Sequence, residues 1–528
     1  MSVNVLHEMI DRSATLLPDQ DAFRFVGEAL SYQALAARSS RLAGVLVDQG
    51  VQRGDRVGIY MNKSLETPVA IYGILKAGAA YVPLDPGAPI ERIATMLSHC
   101  GIRHLITAKD KKPQVYELLQ RRDQIDCVVG MSNVGRADVR TFDWDALDTA
   151  PIVDSVKVIP EDIAYIMYTS GSTGTPKGIT HTHASGLSYA RAITDLYGIR
   201  PSDRLGNHSP LHFDISLFDY LGGPLRGATT VIIPEPYTKL AASLSELIQN
   251  ERISVWFSAP NALTQLLLNG VLTHRDLSAL RWVIFGGEPF PPKYLHALME
   301  LWPHARFSNS YGPAEVNMCT YYHLDAPISE DTEAIPIGDT WKISEAIILD
   351  QDDNPTQPGE AGELLIRSPT RMRGYWRQPE LNAKCFYHRK VTADIEDIFY
   401  RTGDIVAMDT AHGMSFLGRK DRQIKIRGFR IELDEIEAVL ADHPVVEEAG
   451  SFTIREGTEI SAAVTFNKSG SATTDQLLRH CQDRLPTYAI PATIYLIECF
   501  PRTTSQKIDR RALAERFEPK KSGFIEAT

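Results

Sequence analysis

Apolar runs of strand length alternate with stretches of helical spacing along this chain, which leaves few architectures open. The apolar runs include GDRVGIYM, TTVIIP, SVWFSAP and WVIFGG, and helical spacing marks SLSELIQNERI and PPKYLHALMELW between such runs. Strands that alternate with helices favour a largely parallel sheet flanked by helices. The sequence therefore predicts an α/β fold whose ligands bind beyond the carboxyl ends of the strands.

The chain is too long for a single hydrophobic core, because it has 528 residues. Its character changes after about residue 420, where IKIRGFRIELDEIEAVLADHPVVEEAGSF predicts a strand, a turn, an amphipathic helix and a strand. ISAAVTFN, TDQLLRHCQDRL and ATIYLIE then predict a strand, a helix and a final strand. We expect a large domain over residues 1–420 and a small mobile α+β domain over residues 421–528.

Composition excludes several classes of protein. The net charge of −11 argues against broad binding of nucleic acid. The chain has no apolar stretch of about 18 residues and no basic, then apolar, N-terminal leader, so we expect no membrane contact and a cytoplasmic location. The six cysteines follow no metal-ligating spacing, so neither zinc nor disulfides are expected.

One loop, YTSGSTGTPKG at residues 168–178, follows the apolar run DIAYIM and has the composition of a phosphate-binding loop. Its glycines let backbone N–H groups converge on an anion, its hydroxyls add donors, and its lysine adds a positive charge. The candidate ligands are Thr169, Ser170, Gly171, Ser172, Thr173, Gly174 and Lys177. The Walker A pattern fails here, because Pro176 precedes the lysine and Gly178 follows it. Taken alone, such a loop also fits a flexible connection.

The whole string of this loop, together with nine others, resembles the adenylate-forming superfamily of acyl-CoA synthetases, luciferases and adenylation domains of non-ribosomal peptide synthetases. The other strings, in the order of that family, are LSYQAL (30–35), LKAGAAYVPLDP (75–86), FDIS (213–216), NSYGPAE (309–315), GELLIRS (362–368), YRTGD (400–404), GRKDRQIKIRGFRIELDEIE (418–437), LPTYAIP (485–491) and TSQKIDRRAL (504–513). The resemblance covers nearly the whole chain and resolves the loop as a phosphate loop.

The resemblance implies a reaction in two halves. A carboxylate attacks the α-phosphate of ATP to give an acyl-adenylate and pyrophosphate, and a thiol then displaces AMP. The first half requires cationic and N–H stabilisation of the phosphorus and a metal on the phosphates, Mg²⁺ in this family. Lys507 is implied as the catalytic residue across the substrate carboxylate and the nucleotide, although Gln506 stands where the family has Gly.

The same motifs imply further residues that would bind the nucleotide. Tyr311 would stack on adenine and Glu315 would bind Mg²⁺; without the motif they suit a core aromatic and an acid at a helix start. Asp404 would accept hydrogen bonds from both ribose hydroxyls, with Arg419 in support, although the two also suit a turn and a charged surface. Gly287 and Glu288 would border the adenine, next to Asn309, Ser310 and Gly312. Asp421 matches the hinge about which the small domain rotates; it also suits a turn.

The motif HFDISLF indicates the class of acid. Members of the family that activate amino acids carry an aspartate at the position of Asp214, where it pairs with the α-ammonium group. A fatty or aryl acid has no cation, so this carboxylate would lie unpaired at a cost of several kcal/mol. An α-amino acid is therefore favoured, although Asp214 could also cap the helix that follows.

The substrate pocket implied by the family has no charge facing the side chain of the substrate. Its positions are Asp214, Ile215, Phe218, Phe257, Ile284, Gly286, Ser310, Met318, Cys319 and Lys507. The wall favours a small apolar amino acid such as valine, isoleucine, 2-aminobutyrate or proline. One methylene changes such selectivity by only about 1–3 kcal/mol, so the pattern does not choose among them.

A serine in an LGGxS-like context, which would carry phosphopantetheine, is absent from the sequence. We therefore expect an amino acid–carrier protein ligase that loads a separate carrier protein in biosynthesis of the non-ribosomal peptide type. The alternatives are an acyl- or aryl-CoA ligase of the same superfamily and, as a different class, a nucleotide-binding protein without catalysis.

Overall fold

The computed structural model describes residues 2–121, 124–171, 176–329, 332–455, 457–467, 470–502 and 508–519. Its helices are α1 (Glu8–Leu16), α2 (Tyr32–Asp48), α3 (Glu66–Lys76), α4 (Ile90–Cys100), α5 (Lys112–Arg121), α6 (Trp144–Leu147), α7 (His183–Leu196), α8 (Leu217–Arg226), α9 (Glu235–Lys239), α10 (Ala241–Asn250), α11 (Pro260–Asn269), α12 (Pro292–Leu301), α13 (Pro379–Cys385), α14 (Leu433–Ala441), α15 (Thr474–Gln482) and α16 (Arg510–Phe517). Short 3₁₀ turns lie at Lys109–Lys111, Asp214–Ser216, Leu272–His274 and Thr487–Ala489.

The strands complete the element order. They are β1 (Asp21–Phe25), β2 (Glu28–Ser31), β3 (Arg56–Tyr60), β4 (Ala80–Pro83), β5 (His104–Thr107), β6 (Cys127–Val129), β7 (Arg140–Phe142), β8 (Ile163–Thr169), β9 (Lys177–Thr182), β10 (Arg204–Asn207), β11 (Thr229–Ile232), β12 (Val255–Ser258), β13 (Trp282–Gly286), β14 (Arg306–Tyr311), β15 (Thr320–Leu324), β16 (Asp339–Thr340), β17 (Glu345–Leu349), β18 (Ala361–Arg367), β19 (Gly374–Tyr375), β20 (Phe386–Lys390), β21 (Glu396–Asp409), β22 (Gly413–Arg419), β23 (Gln423–Ile426), β24 (Phe429–Glu432), β25 (Val446–Ile454), β26 (Glu459–Phe466) and β27 (Thr493–Leu496).

The chain divides into two compact units. The large unit contains the described residues within Met1–Pro86, Ala94–Tyr168 and Gly178–Asp421. The small unit contains those within Gly87–Ile93, Thr169–Lys177 and Arg422–Thr528. Two short segments from the first half of the sequence therefore group with the C-terminal residues. None of the helices that the structure describes combines the length and the hydrophobicity needed to cross a bilayer.

The large unit is built around two sheets with parallel centres. Among the described residues, one sheet has nine strands in the order β16-β15-β14-β13-β12-β10-β11-β1-β2, and the other has eight in the order β19-β9-β8-β4-β3-β5-β6-β7. The central strands are buried along their length, as in the VWFS run of β12, because helices cover both faces of a parallel sheet. The predicted α/β class is confirmed.

One hydrophobic core joins the two sheets of the large unit. It contains residues of α2, α3, α7 and α8 together with Val57 of β3 and Leu205 of β10. Buried tyrosines also make polar links here: the Tyr72 hydroxyl on α3 donates to the carbonyl oxygen of Tyr220 on α8 at 2.7 Å. The two sheets thus share helices and a single core.

A third sheet of the large unit carries the YRTGD motif. Within the described residues it has five antiparallel strands, in the order β17-β18-β21-β20 with β22 paired to β21. Asp404 on β21 lies directly opposite Arg419 on β22. This register decides which side chains meet at the motif.

The small unit packs helices against antiparallel and mixed strands. β23 pairs with β24, and β25, β26 and β27 form a second sheet. Its core includes Ile436 and Leu440 of α14 and Leu477 of α15, each fully buried. α15 begins at a capping box, in which Thr473 and Gln476 satisfy each other's backbone N–H groups.

Candidate active site

Four parallel strands of the nine-stranded sheet, β10, β12, β13 and β14, end at one edge. Phe257 lies beside Ile284 in this register, and Gly286 lies beside Ser310. A Cβ atom on Gly286 would lie 2.0 Å from the carbonyl oxygen of Ser310, so any side chain is excluded at this position. Gly287 follows with a φ of +94°, a conformation that favours glycine. The chain thus turns sharply at the carboxyl end of β13.

Several residues predicted for the substrate pocket contact one another at this edge. The rings of Phe218 on α8 and Phe257 on β12 have centroids 5.4 Å apart. The Ser310 hydroxyl lies 2.8 Å from the Met318 sulfur, to which it donates. Ile215 lies near the turn, with its Cδ1 atom 3.8 Å from the Cβ position of Gly287. These contacts bring aromatic, aliphatic and sulfur atoms together; Ile284 and Cys319 are also fully buried.

Asp214 begins the 3₁₀ turn that precedes α8 and is half-buried. Its Oδ1 atom accepts a hydrogen bond from the backbone N–H of Ile215 at 3.0 Å. Burial raises the pKa of Tyr189 well above its usual value, and the negative charge of Asp214 raises it further. The Asp214 carboxylate therefore lies close enough to Tyr189, on α7, to raise the pKa of its hydroxyl.

Tyr311, Asp404, Arg419 and Asp421 form a hydrogen-bonded chain within the large unit. The Tyr311 hydroxyl donates to Oδ2 of Asp404, and Arg419 donates to Oδ1 of the same carboxylate. Arg419 also donates to both oxygens of Asp421, each at 2.6 Å. Burial and the neighbouring Asp404 raise the pKa of Tyr311 well above its usual value. The residues predicted for adenine, ribose and hinge are thus brought together.

Glu315 is fully buried, and one of its oxygens accepts a hydrogen bond from the Tyr375 hydroxyl at 2.7 Å. Among the described residues, no group of three or more histidine, cysteine, aspartate or glutamate side chains could hold a metal ion. Mg²⁺ in nucleotide sites is bound by one or two carboxylates, with phosphates and water as the other ligands. A single buried carboxylate therefore fits a metal that arrives on a nucleotide. Tyr375 was missed by sequence reasoning, because a tyrosine 60 positions away carries no signal of this contact.

The described part of the phosphate loop belongs to the small unit, where it contacts β24. The Ser170 hydroxyl donates to the carbonyl oxygen of Arg430 at 3.0 Å, and Lys177 donates to Oε1 of Glu432 at 3.2 Å. The Thr169 hydroxyl is buried and has no hydrogen-bond partner within the described residues. The charge of Lys177 is therefore neutralised by a carboxylate that sequence reasoning did not identify.

Some predicted ligands lie outside the described residues, namely Ser172, Thr173, Gly174 and Lys507. Gly171 is described and buried. The roles of all five residues in phosphate binding or catalysis stay predictions.

Three residues predicted near the nucleotide bind backbone groups of the large unit. Oε1 of Glu288 accepts from the backbone N–H of Asn261 in the first turn of α11, at 3.1 Å. Nδ2 of Asn309 donates to the carbonyl oxygen of Pro336 at 2.8 Å. Gly312 faces the backbone, because a Cβ there would lie 1.8 Å from the carbonyl oxygen of Asn317. These three positions lie against the main chain, and their place beside adenine stays a prediction.

Comparison with known proteins agrees with this geometry. Residues 10–376 match the family model of AMP-binding enzymes, and residues 435–507 match the model of the AMP-binding enzyme C-terminal domain. An L-proline–[L-prolyl-carrier protein] ligase of Pseudomonas fluorescens is 32% identical over 98% of this chain and 100% of its own length. A ligase of the same name from Streptomyces coelicolor is 32% identical over 93% of this chain and 92% of its own.

Among solved structures, the Vibrio cholerae adenylation domain AlmE, in complex with glycyl-adenosine-5′-phosphate, superimposes with a TM-score of 0.81. It is 26% identical and covers 98% of each chain. The family model spans most of the chain, the relatives match it over more than nine tenths of its length, and the fold is shared. The chain belongs to the AMP-binding enzyme family, whose members form adenylates at the expense of ATP.

Proposed function

We propose that this enzyme activates a small apolar α-amino acid with ATP and transfers it from the adenylate to the phosphopantetheine thiol of a separate carrier protein. The observation that carries the proposal is Asp214, a half-buried carboxylate at the start of a turn, with the apolar residues Ile215, Leu217 and Phe218 close after it. A carboxylate beside apolar walls suits a ligand with one cation and an uncharged side chain. The two relatives named as proline–carrier protein ligases support the same substrate class.

Within that class, we propose a substrate of the size of proline or valine. The contact between Phe218 and Phe257 supports this size, because two buried rings packed against each other leave no room for a long side chain to pass between them. Gly286 cannot carry a side chain, because its Cβ would meet the backbone of Ser310, so β13 and β14 lie close together beside these rings. Proline comes first among the four candidates, since two relatives are named for it.

The residues of the hydrogen-bonded chain would bind the nucleoside. Asp404 would accept from the ribose hydroxyls while Arg419 donates to its Oδ1 and Tyr311 to its Oδ2, and the Tyr311 ring would cover the adenine. Glu315 would hold Mg²⁺, which neutralises charge on the phosphates when bound. Lys177 and residues 169–174 would bind the phosphates, and Lys507 would stabilise the reacting carboxylate and α-phosphate.

The thiol half of the reaction involves the small domain. We propose that residues 421–528 rotate about Asp421 relative to residues 1–420, which withdraws Lys507 before the carrier arm enters. The chain of bonds from Asp404 through Arg419 to Asp421 supports a link between the ribose site and this hinge. A cytoplasmic location belongs to the same proposal, because ATP is available there and the six cysteines would stay reduced.

Pyrophosphate exchange into ATP tests the proposal. The full chain would be assayed with each proteinogenic amino acid and 2-aminobutyrate, with Lys507→Ala and Asp214→Ala as variants. Exchange with one or two small apolar amino acids, lost in both variants, is the expected result. Turnover of a plain carboxylic acid with free CoA, and no exchange with any amino acid, would show a CoA ligase instead.

A further inference from the structure

Lys63 is a buried lysine to which neither the motifs nor the reaction gives a role. It follows β3, in the loop before α3, and is only 5% exposed. Its ammonium group donates to three successive carbonyl oxygens, those of Asn207 at 3.0 Å, His208 at 2.8 Å and Ser209 at 3.4 Å. An ammonium has three donors, so the whole hydrogen-bonding capacity of Lys63 is used on one stretch of backbone.

That stretch leads directly to Asp214. Asn207 ends β10, and residues 207–216, here called the β10–α8 segment, connect it to α8. The eight-stranded sheet contacts the segment a second time, because Nε2 of His212 lies 3.8 Å from Oδ2 of Asp85, which follows β4. The Ser216 hydroxyl then donates to the carbonyl oxygen of Phe213 at 2.6 Å and closes the turn that contains Asp214. The segment is therefore held at its start by Lys63 and at His212 by Asp85, and an internal bond closes its last turn.

Burial makes this lysine costly, which argues for a specific role. Desolvation lowers the pKa of Lys63 to about 8, although the charges of Glu235 and Asp219 raise it. An apolar side chain of similar length would fill the same space without that cost. The three carbonyl oxygens, however, cannot hydrogen-bond one another, so an apolar side chain at this position would leave them without the donor that Lys63 supplies.

We propose that Lys63 is a positioning residue that fixes the β10–α8 segment, and with it Asp214, for binding the α-ammonium group of the substrate. The proposal rests on the proposed function, since it takes Asp214 as the ligand of an amino acid. It adds a determinant of amino-acid affinity that does not touch the amino acid. Loss of Lys63 should therefore weaken the binding of the amino acid and not the binding of ATP.

Lys76, the last residue of α3, is a matched control. It is 2% exposed, and its ammonium donates to Oδ1 of Asp11 at 2.7 Å, the carbonyl oxygen of Ala36 at 3.1 Å and the Ser40 hydroxyl at 3.0 Å. These partners lie on α1 and α2. Lys76→Met thus removes an equally buried cation whose partners are not in the β10–α8 segment.

The test compares Lys63→Met, Lys63→Gln and Lys76→Met in the full chain. Pyrophosphate exchange gives the KM values for the amino acid and for ATP, and amide hydrogen exchange reports the protection of residues 207–216. We expect Lys63→Met to raise the KM for the amino acid about tenfold, to leave that for ATP within twofold, and to lose protection in the segment. Lys63→Gln, which keeps two N–H donors, should recover part of both effects. Lys76→Met should lower thermal stability without separating the two KM values.

Equal changes in both KM values, or unchanged protection of residues 207–216 in Lys63→Met, would overturn the proposal. The Gln variant keeps the test decisive if the Met variant does not fold. Failure of the proposed function has a different signature, because the unmodified enzyme would then show no exchange that depends on an α-amino acid. In that case hydrogen exchange still decides whether Lys63 holds the segment.

Discussion

The ion pair between Lys177 and Glu432 predicts that removing a carboxylate will tighten the binding of ATP. The nitrogen and oxygen lie 3.2 Å apart, with only 15% and 7% of the two side chains exposed. At an effective dielectric constant of about 20, their attraction is about 5 kcal/mol. The net value of a hydrogen bond to a charged group in a folded protein is smaller, about 1.5–3 kcal/mol. If Lys177 binds phosphate, the phosphates of ATP must compete with the Glu432 carboxylate for its ammonium group.

Glu432→Gln keeps the shape of the side chain and removes its charge. The lower end of the range above, about 1.5 kcal/mol, corresponds to about a tenfold lower Kd for ATP. The Kd would be measured by calorimetric titration with a non-hydrolysable ATP analogue, without amino acid. Thermal stability should fall in the same variant, because the pair is lost from the folded protein.

Glu435→Gln is the control for this measurement. Glu435 lies on α14, and its carboxylate accepts from Arg92 at 2.7 Å. Its charge also interacts with Lys177, but no hydrogen bond joins these two described side chains, so its replacement should lower stability and tighten ATP binding much less than Glu432→Gln does. In the double variant Lys177→Met with Glu432→Gln, the gain in affinity should vanish. A Glu432→Gln protein that binds the analogue no more tightly than the unmodified enzyme would refute the reasoning.

Three further predictions concern the large unit. Arg419→Met should lower the free energy of unfolding by about 3–5 kcal/mol, because the buried Asp404 carboxylate loses its cation; an unchanged denaturation midpoint in urea would contradict this. Gly286→Ala should reduce kcat/KM in pyrophosphate exchange at least 100-fold, because the new Cβ would lie 2.0 Å from the carbonyl oxygen of Ser310; a value within threefold of the unmodified enzyme would argue against so tight a turn. Burial lowers the pKa of His181 from 6.5 to about 4, so the unfolded chain binds more protons between these values and stability falls as the pH falls through them. Between pH 7 and pH 5 this residue should lower the free energy of unfolding by about 2 kcal/mol. In urea denaturation, the free energy of unfolding of His181→Gln should therefore fall less over this pH range than that of the unmodified protein, by about 2 kcal/mol. An equal fall in the two proteins would contradict the prediction.

The fold class was predictable because its signals are local. Each central strand is a short run of branched and aromatic residues, as in WVIFG of β13, and its burial on both faces follows from that run alone. The meeting of Asp404 and Arg419 is also nearly local, since the two lie 15 positions apart on neighbouring antiparallel strands. Motif residues of this kind can be placed before the structure is known.

Other parts of the site could not be predicted, because their partners are distant in sequence or belong to the backbone. Lys177 and Glu432 lie 255 positions apart, and Lys63 lies 144 positions from Asn207. A backbone carbonyl or N–H carries no residue signature, so the bonds of Glu288 and Asn309 to main-chain atoms are equally hidden. Such contacts depend on how strands of different sheets are brought together.

The pairing of β1 with β11 has a consequence for the synthesis of the protein. Phe23 lies beside Thr230 in this parallel pair, and the Tyr32 hydroxyl donates to the carbonyl oxygen of Ala228 at 2.5 Å. At about 5–20 residues per second, a ribosome takes about 10–40 seconds to add the roughly 200 residues between these partners. Throughout that interval the apolar side chains around β1 have no sheet to join. The nascent chain therefore exposes the apolar side chains of its N-terminal hairpin for tens of seconds, until β11 emerges and pairs with β1.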